Sequence, residues 1–261
     1  MRRKVVVITT LCLLVGAAAA YAASGDNNYT GTSMTFSKGV GTKSKPVGVG
    51  FIQNLQAKNN DPTKAAAVLI DIKTKIYGLV ADGKDFPTCD QNKMVTLKSD
   101  TFCKPKSKFA SGSVNSLLGN PSLALSGTVS CKPHLDVFNG GQGKLWFFFT
   151  TSSPTQCAGL TTGQTAPYLG TVKQQGKYEV TDVPLPPDVS TRVANQPNFY
   201  GSLIHEQLNW FKYSTKVHGK NVYNSASVGC LHGKRPWTIT YTATTNGSDR
   251  QISTVTGSAK C

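Results

Sequence analysis

Arginine and acidic residues are scarce in this chain. Its 261 residues carry 28 Lys and Arg against 13 Asp and Glu, a formal charge of +15. Beyond Arg2 and Arg3, the arginines are Arg192, Arg235 and Arg250, so the excess is lysine. Lysine is a hydrated point charge, whereas bidentate reading of phosphate or guanine favours arginine. The charge therefore points away from nucleic-acid recognition and toward general attraction for polyanions. Glutamate is rarer still, occurring only as Glu179 and Glu206. The other acidic residues are aspartates, and Asp61, Asp82, Asp90 and Asp249 sit at turn signals where an Asx cap accounts for them.

Several catalytic signatures are missing too. His205-Glu206 begins like the zinc motif H-E-x-x-H, but Asn209 stands where the second histidine is needed. That segment also reads as a strand, and the motif needs a helix to bring both histidines to one face. No G-x-S-x-G elbow occurs among the serines. Residues 39–44 suggest a phosphate loop but lack the Gly-Lys-Ser/Thr adjacency. There is no C-x-x-C or Cys/His cluster to hold a metal. Neither a metal nor a cofactor is expected. A serine–histidine pairing from distant segments stays open, because triads are defined by geometry and not by order. So does a carboxylate pair suited to glycoside hydrolysis.

What is present begins with an export signal. Arg2, Arg3 and Lys4 form a basic start, residues 5–20 are apolar apart from Thr9 and Thr10, and Ala20-Tyr21-Ala22 gives the small-x-small cleavage pattern. Residues 1–22 are therefore expected to be a signal peptide cut before Ala23. The competing reading is an uncleaved anchor, since the apolar run nearly reaches the ~20 residues of a spanning helix. Cleavage would lower the formal charge from +15 to +12 by removing Arg2, Arg3 and Lys4. It would also take Cys12, one of seven cysteines, and leave Cys89, Cys103, Cys131, Cys157, Cys230 and Cys261. An even set in an exported chain reads as three disulfides, with 15 possible pairings. Sequence neighbours fit best, because each of Cys89–Cys103, Cys131–Cys157 and Cys230–Cys261 encloses a loop or turn.

The pattern between the cysteines is β. Val68, Ile70, Ile72, Thr74 and Ile76 alternate with Asp71, Lys73 and Lys75, the period of a half-buried strand. Further strands are expected at 108–118, 124–131, 135–138, 144–151, 168–173, 177–183, 199–217, 237–244 and 250–256. Asn139-Gly140-Gly141, Gln175-Gly176 and Asn246-Gly247 supply the tight turns. Leu145-Trp146-Phe147-Phe148-Phe149 suits a strand covered on both faces, with Cys131 and Cys157 pinning the cover. Strands at this spacing predict an all-β chain with residues 23–261 forming a single antiparallel two-sheet β-sandwich, jelly-roll-like and stapled by disulfides.

Phe86-Pro87-Thr88-Cys89, then Cys103 with Lys106-Ser107 and Gly112-Ser113, then Cys230, Trp237-Thr238-Ile239, Asn246-Gly247 and Cys261 make an arrangement that resembles secreted actinobacterial β-sandwich proteins with no assigned activity. The resemblance covers about a third of the chain and implies export, a sandwich and disulfides in sequence order. It brings no catalytic residues. The expected function is that of a secreted, non-enzymatic protein of the cell envelope or exterior. It would hold an anionic polymer or glycan through a lysine surface that includes Lys104, Lys106 and Lys108, aided by an aromatic face at Trp210 and Tyr213. The alternative is a secreted glycan hydrolase using a carboxylate pair.

Overall fold

A computed structural model of the chain describes residues 21–23, 25–120, 122 and 124–261. Nearly all of the expected signal peptide lies outside the described residues, and its cleavage point falls inside the first strand. In chain order the strands are β1 (Tyr21–Ala23), β2 (Asn27–Asn28), β3 (Ser33–Phe36), β4 (Val47–Gly48), β5 (Phe51–Gln56), β6 (Lys58–Asn59), β7 (Val68–Tyr77) and β8 (Leu79–Ala81). A short helix α1 (Gln91–Leu97) precedes β9 (Lys108–Gly119), β10 (Val129–Cys131), β11 (His134–Asn139) and β12 (Lys144–Thr150). Then come β13 (Tyr168–Gln175), β14 (Tyr178–Pro184), β15 (Tyr200–Trp210), β16 (Ser214–Val217), β17 (Lys220–Tyr223) and β18 (Ser225–Ser227). The hairpin β19 (Lys234–Thr244) and β20 (Gln251–Lys260) ends the chain.

The chain is all-β and antiparallel, as expected, but its main strands do not divide between two sheets. They form one 13-stranded sheet in the order β1-β20-β19-β7-β14-β13-β12-β11-β9-β15-β5-β3, with β10 added beside β9. The far strand β3 returns alongside β20, so the sheet is nearly closed like a barrel. The seam is fastened by side chains and loops. Tyr29 stacks on Tyr241 at 4.0 Å, Thr32 Oγ1 lies 3.1 Å from the Tyr241 hydroxyl, and the Gly39 N–H donates to the Cys261 carbonyl.

Because neighbouring residues in a strand face opposite ways, each strand gives alternate side chains to the interior. From β7 these are Ile72, Thr74 and Ile76, and from β14 Glu179, Thr181 and Val183, paired in register across the two strands. On β15 a bulge at Ile204 interrupts the alternation, since the pairing with β9 jumps from Leu203 to His205. The extra residue turns Glu206, Leu208 and Trp210 inward, opposite the inner residues Val114, Gly112 and Ala110 of β9. Gly170 on β13 serves the same interior. A Cβ there would stand 2.6 Å from Phe147, so its absence lets Phe147 lie against the wall, stacked on Tyr168 at 5.2 Å.

The three disulfides are Cys89–Cys103, Cys131–Cys157 and Cys230–Cys261, the pairing expected from the sequence. The segment between Cys89 and Cys103 is more than a loop, because it contains α1. Asp90 caps that helix by accepting from the Asn92 and Lys93 N–H groups. Met94 then points in, and with Cys89 it covers Phe138 and Phe148 on the outer face of β11 and β12. The aromatic strand is thus covered on both faces as expected, with Phe147 and Phe149 inside the barrel. The cover over its outer face comes from the Cys89–Cys103 excursion and not from Cys131–Cys157. That second bridge packs instead with Leu118, Leu160 and Val193.

Phe148 has no exposed surface, whereas Trp146 is partly exposed. Phe148→Ala is therefore expected to cost about 3–5 kcal/mol, and Trp146→Ala clearly less. Urea unfolding of both variants checks this, and equal losses would show that α1 does not seal the outer face.

Candidate functional site

The interior holds a cavity of about 110 Å³. Its wall is largely apolar, with Ile72, Ile76, Val114 and Phe147 among its residues, but both glutamates of the chain also line it. A second space of about 60 Å³ lies toward the Cys131–Cys157 bridge and shares Val114, Ser116 and Phe149 with the first.

Glu179 is 6% exposed and Glu206 7% exposed. Removal from water disfavours the charged carboxylate, so burial pushes Glu179 up to about 7 against the opposing charge of Arg235. Burial likewise raises Glu206 to about 7, opposed by its hydrogen bond from Gln53. That bond is long, with Gln53 Nε2 at 3.5 Å from Glu206 Oε1. Glu179 Oε2, Trp210 Nε1 and Ser225 Oγ, all buried on the cavity wall, have no hydrogen-bond partner. Leaving such a group unpaired costs roughly 1–3 kcal/mol.

One end of the barrel is plugged. The small sheet β4-β18-β8 crosses it, and Arg235, 1% exposed, ties the plug to the wall. Its guanidinium donates to the Tyr77 and Gly78 carbonyls at 3.2 and 2.9 Å and to Ser227 Oγ at 2.7 Å. Asn139 performs a similar task beside it, donating to the carbonyls of Gly83, Phe86 and Pro87.

The lysine run takes several different environments. Lys108 is paired with Asp136 at 2.8 Å and Asp100 at 3.1 Å. Burial alone would lower its pKa, but the bonds and charges of the two aspartates outweigh this and raise it. Lys106 donates to the Ser214 carbonyl at 3.1 Å, and Lys104 is exposed. Trp210 turns inward and stacks on Phe51 at 5.3 Å, and not onto the exposed aromatic face expected from the sequence. Tyr213 stays half-buried beside Phe211, with ring centres 5.8 Å apart. Lys106 and Lys108 thus lie beside Tyr213, since Lys106 bonds the carbonyl of the adjoining Ser214 and the Lys108 charge acts on the Tyr213 phenol, whereas Trp210 belongs to the interior.

The distant serine–histidine pairing left open by the sequence does occur, on the outside of β9 and β11. Ser111 Oγ lies 2.8 Å from His134 Nε2 and donates to Asp136 Oδ1 at 2.6 Å. Asp136 Oδ1, however, is 3.2 Å from that same Nε2. In a working triad the carboxylate holds one ring nitrogen and the serine addresses the other. Here both crowd one nitrogen, so the three side chains do not have the relay order of a triad. His205 faces away from Glu206 across the strand, and β15 lacks the helical geometry of a zinc motif. Among the described residues no group of three or more His, Cys, Asp and Glu is arranged to hold a metal ion.

Compared with known proteins, the chain matches no family model, no curated protein and no solved structure. The fold and the cavity define it as an antiparallel barrel-like protein with an interior carboxylate site.

Both glutamates retain protons in the folded chain at pH values where the unfolded chain has released them. Each therefore weakens folding progressively as pH rises from about 4.5 to about 7. Asp71, raised to about 6 chiefly by burial and by Asp182, acts in the same direction. Glu179→Gln and Glu206→Gln should each reduce the stability lost between pH 5 and pH 8 by on the order of 2–3 kcal/mol. Denaturant midpoints at the two pH values measure this, and variants that lose as much as the wild type would show that the carboxyls titrate normally.

Proposed function

We propose that this protein is an exported binding protein that holds a small molecule inside its barrel. The observation that carries this reading is Glu179, whose carboxyl oxygen is buried and unpartnered in the wall of an apolar cavity. Apolar cavities with a few convergent polar groups are the usual form of a ligand site. Three disulfides support a setting outside the reducing cytoplasm. Among the described residues no helix is long and apolar enough to cross a membrane. The outer face of β7 carries Asp71, Lys73 and Lys75, unlike the apolar band that a lipid-embedded barrel presents.

A glycan hydrolase fits less well. Polymer cleavage needs a groove with both carboxylates flanking the scissile bond, whereas Glu179 and Glu206 line an internal space of about 110 Å³. They also come from strands separated by β13, β12, β11 and β9 along the sheet. The formal charge, +12 once Arg2, Arg3 and Lys4 are removed from +15, supports association of the outer surface with anionic envelope polymer as the place where the barrel works. With Lys108 held by two aspartates, that surface is less concentrated than the lysine spacing suggests.

A neutral probe such as cyclohexanol tests the reading. Saturating it at ~100 times Kd adds about 2.7 kcal/mol, and a chain of this size gains about 2–4 °C in Tm per kcal/mol. The filled variants Val172→Phe and Ser116→Leu should fold and lose that rise. No stabilisation of the wild type, or an undiminished rise in both folded variants, would overturn the proposal.

A further inference from the structure

The interior has an uneven charge balance. Two carboxylates, Glu179 and Glu206, face the cavity, and Arg235 is the cation set against Glu179. Its two terminal nitrogens are committed to two carbonyls and a serine hydroxyl, and its Nε–H is buried without a partner. With both carboxyls ionised, Arg235 leaves one negative charge over in a largely apolar space. At the plugged end the unpartnered Glu179 Oε2 and Ser225 Oγ are both able to accept hydrogen bonds. The remaining wall is largely aliphatic and aromatic, with Gln53, Thr74, Asn139 and Thr181 among its polar residues. The two adjoining spaces, about 110 and 60 Å³, are together comparable in volume to an apolar cavity of roughly 150 Å³ that takes up benzene.

Resting on the reading of the interior as a binding site, we propose that its ligand is a small organic monocation, an ammonium group on an apolar body, with the ammonium donating to Glu179 and Ser225. One positive charge balances the interior, and three N–H donors suit the two waiting oxygens. An anion would meet both carboxylates at close range, and a neutral molecule would leave the charge uncompensated.

The proposal carries a pH dependence, because the cation binds best to ionised carboxylates. The other charged or titratable groups facing the site are few. Arg235 opposes Glu179. Tyr168 and Tyr241 face Glu206, and burial drives both phenols upward, so they stay neutral. Tyr29, stacked on Tyr241, is pushed up to about 12, also by burial. Asp188 acts on Tyr168, and Lys144 lines the cavity at its exposed rim.

The test compares cyclohexylamine, cyclohexanol and cyclohexanecarboxylate on the whole protein, read by thermal shift and by tryptophan fluorescence. Cyclohexanol should bind equally at pH 6 and pH 8. Cyclohexylamine should bind at least tenfold more tightly than the alcohol at pH 8. That affinity should fall about tenfold at pH 6, as carboxyls titrating near 7 take up protons. On Glu179→Gln the amine should bind no more tightly than the alcohol does on that same variant, and its affinity should no longer change between pH 6 and pH 8. If the alcohol binds but the amine is no better, or if the carboxylate binds best, the cation proposal is overturned and the interior site stands. If none of the three binds, the interior site falls with it.

Discussion

An antiparallel sheet of this width has one apolar face to hide and two edges to manage. Curling until β3 meets β20 answers both demands at once, because the inner face becomes its own core and the edges are brought together. Everything else in the molecule follows from that closure. The chain outside the main strands is spent on plugging one end with β4, β8 and β18, on packing Cys131–Cys157 with Leu118 and Leu160, and on covering Phe148 with α1. Closure also fixes the chemistry of the interior. A polar residue on an inner position has no water to turn to, so it must find a partner in the wall or remain unsatisfied. Arg235 and Asn139 find partners in backbone carbonyls. Glu179 does not.

The individual strands were largely legible. Alternation across 68–76 and the turn at Asn246-Gly247 led directly to β7 and to the β19–β20 hairpin, and the cysteine neighbours proved to be the bonded pairs. The closure was not legible, because it depends on β15 lying between β9 and β5, a contact between segments about 150 residues apart. Short β8 and β18 carry too few residues to show a period, and α1 is hidden in a cysteine loop whose signal, Asp90 as an N-cap, reads equally as a turn.

The site was harder to see than the fold, for two separate reasons. On β14 the inner set is Glu179, Thr181 and Val183, so a pattern reader places Glu179 on the solvent face by its polarity. On β15 the bulge at Ile204 reverses the alternation, and no rule based on strict period two carries Glu206 and Trp210 to the inside. The rarity of glutamate was the available signal. Both examples in the chain point into the same cavity, whereas turn-forming aspartates such as Asp61, Asp90 and Asp249 cap their own loops.

The central claim is that two carboxyls are held in a water-poor interior beside an apolar cavity. Carbon-13 NMR titration of the two glutamate side-chain carboxyls measures this directly. The chain contains only two glutamates, so glutamate-selective labelling gives two resonances, each assigned by its Gln variant. Midpoints near 7 for both are the predicted result. Midpoints in the ordinary range around 4.3 would show that water reaches them freely, and would contradict the account.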